Sequence, residues 1–169
     1  MTPDILYGES RERPYAERRA AADIFMPESV ITDIAAHADR GLEEDREVMG
    51  LLLGRIYTDD AGEYAVVKGI VTSKLESDRV MVRFDRDGMG ELVDAIDDMP
   101  EDTDIVGWYH SHLGYGCFMS DTDVKTQDGL FGGACGFALV IDPKRKEIAV
   151  FDSTPGSPDV ARMVILEED

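Results

Sequence analysis

GWYHSHLGYGCFMSDTDVKTQ, residues 107–127, is the stretch that organises the rest of the chain. It continues the apolar run DIV from Asp104 and reads as a central strand. Strand side chains alternate faces, so Trp108, His110 and His112 share one side and Tyr109 and Ser111 the other. Two residues of strand rise separate the His110 and His112 backbones by ~7 Å, close enough for both imidazoles to reach one ion. A catalytic zinc takes three protein ligands and keeps one position open. The third ligand must come from elsewhere, and Ser120-Asp121-Thr122-Asp123 lies just downstream. That tetrapeptide has a second reading, because Ser followed three residues later by an acid also resembles a helix N-terminal capping box. Both readings stay open on spacing alone.

Outward from this segment, apolar periods alternate between helical and extended. Val30, Ile31, Ile34 and Ala35 recur at helical spacing after Pro27 and Glu28, and Gly41 marks the expected end. EVMGLLLGRIY from Glu47 and YAVVKGIVTS read as a strand pair joined by a turn at Asp59, Asp60 and Gly62. Val80, Val82 and Phe84 alternate in a short strand, and Gly88 to Asp98 reads as a helix. Ser120 to Leu130 reads as another helix, and GFALVID and KEIAVFDS as a hairpin around Pro143 and Lys144. The pattern predicts an α/β fold with a mixed β-sheet sandwiched by helices. Residues 1–22, charged and interrupted by Pro14, read as an N-terminal extension, and 23–169 as one domain.

Composition narrows the function classes. The 169 residues carry a net charge of −19, with 36 acidic against 17 basic side chains. Such a surface repels phosphate backbones, which argues against nucleic acid as a partner. No apolar run approaches the ~20 residues that span a bilayer, and the N-terminus lacks a signal-peptide core, so the expectation is a cytoplasmic chain with no membrane partner. An acidic surface with five lysines suits a salty cytoplasm, as in an archaeal source, and equally a soluble acidic protein of any origin. Cys117 and Cys135 form no CxxC pair and read as reduced thiols, although spacing leaves a bridge between them open.

His110-x-His112, seven residues, Ser120, two residues, Asp123, together with Glu47 ahead of a glycine-bearing apolar strand, resembles the signature of the JAMM (MPN+) zinc metalloproteases. Gly107, Trp108, Tyr109, Gly116, Cys117, Val124, Thr126, Gln127 and the run ALVIDP (138–143) also agree with the proteasome lid deubiquitinase and the COP9 signalosome deneddylase. The resemblance covers about residues 23 to 153. It implies an MPN (JAB1/Mov34) domain, cytidine-deaminase-like in fold. It also implies one Zn²⁺ held by His110, His112 and Asp123, with Glu47 as general base and Ser120 as oxyanion donor. Leu113 stands where the family usually has proline, which raises the question of what rigidifies the turn leaving the site.

The activity implied is cleavage of the bond between the C-terminal glycine of a ubiquitin or ubiquitin-like protein and a lysine of its conjugate. Two alternatives share the fold: a peptidase acting on sulfur-carrier conjugates, and a non-catalytic scaffold subunit. A proteasome-linked partner and a homodimer are both compatible with the family. For substrate contact, Trp108 is a candidate groove wall or a core residue. Val80, Val82 and Phe84, in the place of the family's first insertion, could pair with an incoming tail. His37 reads as a partly exposed helix residue.

Overall fold

The computed structural model describes residues 22–72 and 103–167. The extension, the insertion with Val80, Val82 and Phe84, and the helix expected at 88–98 lie outside the described residues.

Among the described residues nine elements follow in chain order: β1 (Ile24–Pro27), α1 (Glu28–Glu43), β2 (Met49–Asp59), β3 (Gly62–Thr72), β4 (Asp104–Ser111), α2 (Asp121–Phe131), β5 (Phe137–Asp142), β6 (Glu147–Phe151) and β7 (Met163–Leu166). The strands form one mixed sheet in the order β6-β5-β4-β2-β3-β1-β7. β4 lies inside the sheet, antiparallel to β2 and parallel to β5. Past β6 the chain turns back, with Phe151 bridging Val160 and the Ala161 amide donating to the Val150 carbonyl at 2.8 Å. The segment that leads into β7 thus reaches the far edge, and the sheet is nearly closed.

Two apolar layers cover the sheet. Ile31, Ile34 and Ala38 of α1 pack with Ile24, Leu52, Val106, Leu139 and Ile141 in the larger one. Leu130 and Phe131 of α2 pack with Met49, Leu51, Leu53, Trp108 and Ala138 in the other. Each fully buried Leu or Ile contributes roughly 1.5–3 kcal/mol. The expected mixed sheet between helices is therefore what forms. No helix among the described residues is long and apolar enough to cross a membrane.

β1 and β7 have no counterpart in the sequence reading. They pair in parallel, Ile24 with Met163 through Pro27 with Leu166. Each is four residues long and carries no hairpin turn, because its partner lies at the other end of the chain. His37 also departs from expectation: it is buried, and its Nδ1 lies 2.7 Å from the Tyr109 hydroxyl.

Candidate metal centre

Glu47 precedes β2, at the point where α1 hands the chain to the sheet. The handover is tight: a Cβ on Gly41 would come 2.5 Å from Val48 Cγ1 and 2.7 Å from the Arg46 carbonyl oxygen. Only glycine lets the end of α1 approach this closely. The next residue is clamped to β4 twice. The Val48 amide donates to Ser111 Oγ at 2.8 Å, and the Ser111 amide donates to the Val48 carbonyl at 3.0 Å. Glu47 is thereby buried beside the β4 histidines.

β4 delivers His110 on the α2 side of the sheet, and His112 follows directly after its last residue, Ser111. Asp123 arrives from the first turn of α2. There the capping box is complete: Ser120 Oγ accepts from the Asp123 amide at 3.1 Å, and Asp123 Oδ2 accepts from the Ser120 amide at 3.0 Å. The two readings of Ser120-x-x-Asp123 are therefore compatible, since the cap fixes the carboxylate and aims it. His110 Nε2 lies 3.0 Å and His112 Nε2 3.4 Å from Asp123 Oδ2. Side-chain donor atoms of these three residues all lie within 4.8 Å of one another.

Hydrogen bonding separates the two imidazoles. His112 Nδ1 donates to the Gly116 carbonyl at 2.7 Å, so in the neutral ring Nε2 carries the lone pair, on the side that faces Asp123. His110 is fully buried, and neither ring nitrogen has a hydrogen bond of acceptable geometry among the described residues. Proximity without alignment to Asp123 is what is expected when two donor atoms face a common point rather than each other. Buried polar atoms are rarely left in this state. Two imidazoles and one carboxylate form a donor set that suits a first-row divalent cation, with an open fourth position.

Charge and burial are in tension here. Burial lowers the His110 pKa, against the pull of Asp123. Burial also disfavours charge on His112, but Asp123 and the Gly116 carbonyl outweigh it and raise its pKa. Burial works against charge on Asp123, but the adjacent His110 and His112 imidazoles and the bond from the Ser120 amide outweigh it and hold its pKa well below the usual carboxylate range. Glu47 is pushed up to about 7, chiefly by burial, against the opposing effects of the Tyr115 hydroxyl and His112.

A cavity of about 220 Å³ opens over the cluster, lined by Glu47, His112, Tyr115, Phe118, Ser120 and Asp123. Trp108 is not part of its wall. It is fully buried, stacks on His110 at 4.5 Å, and donates from Nε1 to Gln127 Oε1 at 2.5 Å. It packs against His110 in the interior, the core position that its sequence reading set beside the groove wall. The exposed aromatics that line the cavity are instead Tyr115 (43%) and Phe118 (44%), neither picked out from sequence. Tyr115 stacks on His112 at 4.6 Å, and its hydroxyl donates to Glu47 Oε2. The available signal was Gly114-Tyr115-Gly116, whose glycines have φ of 111° and 91° and so turn the aromatic outward between them.

The loop after His112 holds its shape without proline. Asp142 Oδ2 accepts from the Gly114 amide at 3.0 Å and the Gly116 amide at 2.7 Å, while His112 Nδ1 closes the same loop on Gly116. Cys117 is not drawn into the metal cluster. Its thiol donates to the Val140 carbonyl at 3.4 Å and burial raises its pKa to about 12. No disulfide joins Cys117 and Cys135.

Residues 20–130 match the family described as JAB1/Mov34/MPN/PAD-1 ubiquitin protease. COP9 signalosome complex subunit 5 of Kluyveromyces lactis is 35% identical over 116 residues, covering 68% of this chain and 30% of that protein. Its Yarrowia lipolytica counterpart is 32% identical over 143 residues, covering 79% and 39%. The 26S proteasome regulatory subunit RPN11 of Eremothecium gossypii is 31% identical over 133 residues, covering 71% and 38%. The chain thus spans between 30% and 39% of the length of these three relatives. The solution structure of a Desulfitobacterium hafniense protein shares the fold, with a TM-score of 0.62 at 20% identity over 86% of this chain and 94% of that one.

Proposed function

We propose, proceeding from the fact that this chain belongs to the JAB1/Mov34/MPN/PAD-1 ubiquitin protease family, that it is a zinc-dependent isopeptidase. Its substrate bond joins the C-terminal glycine of a ubiquitin-like modifier to a lysine amine. The observation that carries this reading is that Glu47 and Ser120 open onto the same cavity as His112 and Asp123, with His110 directly beneath.

His110, His112 and Asp123 would hold the zinc, which when bound supplies Lewis acidity and lowers the pKa of water to about 7. The remaining work falls to the chain's own groups. Glu47, set near neutrality by burial, takes a proton from water and passes it to the departing amine. Ser120 Oγ already accepts from the Asp123 amide, so its own hydrogen is free to donate to a developing oxyanion. Tyr115 and Phe118, with ring centroids 5.9 Å apart, present aromatic surface at the mouth. An extended tail ending in two glycines brings no side chain to crowd that mouth. Burial of Glu47 excludes the bulk water that would otherwise hold its pKa near 4.5.

The test is cleavage of a lysine isopeptide carrying a Gly-Gly modifier by the zinc-loaded full chain, with and without chelator, beside a linear sulfur-carrier fusion. Wild type cleaves the isopeptide, chelator abolishes cleavage and zinc restores it. Glu47→Gln keeps its zinc and loses about 10²–10⁴-fold in turnover. Equal turnover of Glu47→Gln and wild type overturns the proton-transfer assignment, and preference for the linear fusion selects the sulfur-carrier reading.

A further inference from the structure

The chain has a net charge of −19 and only five lysines, yet two of them flank an arginine in the exposed turn Lys144-Arg145-Lys146 between β5 and β6. One buried carboxylate ties this turn to the cavity. Asp142 Oδ1 accepts from the Lys144 amide at 3.1 Å and the Arg145 amide at 3.0 Å, while Oδ2 accepts from Gly114 and Gly116. The basic turn and the loop that presents Tyr115 are therefore held as one unit. The Lys144 stem lies against that loop, since a Cβ on Gly114 would come 2.8 Å from Lys144 Cδ.

Two of the three charges are available. Arg145 is engaged by Glu147 at 3.0 Å, an exposed pair. Lys144 and Lys146 have no carboxylate partner among the described residues. Lys146 has a φ of 57°, a conformation that glycine or asparagine adopts with less strain. A lysine at that position keeps a cation at the tip of the turn where a glycine would keep only the geometry. Among the described residues, the cavity lining beside it contains Glu47 and Asp123 and no lysine or arginine.

We propose, building on the isopeptidase reading above, that this turn is the docking point for an acidic face of the modifier protein next to its Gly-Gly tail. A chain this acidic repels an acidic partner over most of its surface, so an isolated cationic spot at the cavity restricts where such a partner can seat. Salt screens the general repulsion beyond ~10 Å at 0.1 M but leaves contact pairing in place. Nucleic acid and anionic membranes present extended negative charge that would meet the rest of the surface, which favours a compact acidic protein face.

The experiment uses the zinc-loaded full chain and two fluorescent peptides of equal length ending in Gly-Gly, one with a run of Asp and Glu before the glycines and one with Ser and Asn there. Anisotropy reads binding at ~0.1 M salt. Wild type binds the acidic peptide about tenfold more tightly, the opposite of what its net charge alone dictates. The double variant Lys144→Glu/Lys146→Glu loses that preference, and Lys144→Gln/Lys146→Gln reduces it. Both variants keep the wild-type melting temperature and wild-type hydrolysis of a neutral Gly-Gly lysine isopeptide. A wild type that binds the acidic peptide no better than the neutral one overturns the proposal, as does a double variant that keeps the preference. Absence of hydrolysis by wild type counts against the isopeptidase reading and is read separately from peptide preference.

Discussion

Each face of β4 meets a buried imidazole, and the two are treated in opposite ways. On the α1 side, the Tyr109 hydroxyl lies 2.7 Å from His37 Nδ1, with the rings edge-on at 5.8 Å. On the α2 side, His110 is just as deeply buried, yet both its nitrogens lack a hydrogen bond among the described residues and one faces Asp123. Burial alone does not tell a structural histidine from a chemical one. Satisfaction does: a core imidazole closes its hydrogen bonds within the protein, while a ligand imidazole leaves a lone pair aimed at a shared point.

Changes on the two faces should therefore fail in different ways. The largest effect belongs to the α2 side. Ser120→Ala removes the donor proposed for the oxyanion and should cost ~100–1000-fold in turnover. The lost cap should cost only about 1 kcal/mol of stability, read by chemical denaturation. A loss of stability without loss of turnover would reduce Ser120 to a cap. On the α1 side, Tyr109→Phe leaves His37 unsatisfied and should cost about 1–3 kcal/mol of stability. Metal content and turnover measured in the same preparation should stay at wild-type levels. If Tyr109→Phe lost metal instead, the division between the faces would be wrong.

The smallest effect is a pH trend in the metal-free protein. The Glu47 pKa is raised to about 7 in the folded state, so the native state binds its proton more tightly than the unfolded chain does. Its contribution to stability is complete below about 4.5 and is lost as pH rises through about 7. His37 runs the other way. Burial, then Arg40, lowers its pKa, so its contribution is present above 6.5 and is lost as pH falls through the lowered value. Melting curves should show metal-free wild type losing stability relative to Glu47→Gln between pH 5 and pH 8. The reverse trend would mean that Glu47 is not buried.

The asymmetry between the faces also explains what could be read from sequence. Period-two alternation places His110 and His112 together because a strand permits no other arrangement of i and i+2. Asp123 is legible because Ser120-x-x-Asp123 carries its own local chemistry as a cap. Glu47 is different, because nothing within EVMGLLLG separates it from a solvated acid. Its place depends on Gly41 and on the Ser111 clamp, contacts that exist only after folding. Trp108 was ambiguous for the same reason, since only its bond to Gln127 and its complete burial assign it to the interior. β1 and β7 were invisible because parallel pairing across the whole chain leaves no local turn signal. Tyr115 and Phe118 sit in a loop, where no periodicity marks an aromatic as exposed.

Zinc titration of the metal-free full chain against a competing chelator, alongside His110→Ala, tests the central claim most directly. Wild type should bind one equivalent tightly, and His110→Ala should retain none. A wild type that takes up no zinc, or a His110→Ala variant that binds it as well as wild type, would contradict the assignment of these imidazoles as ligands.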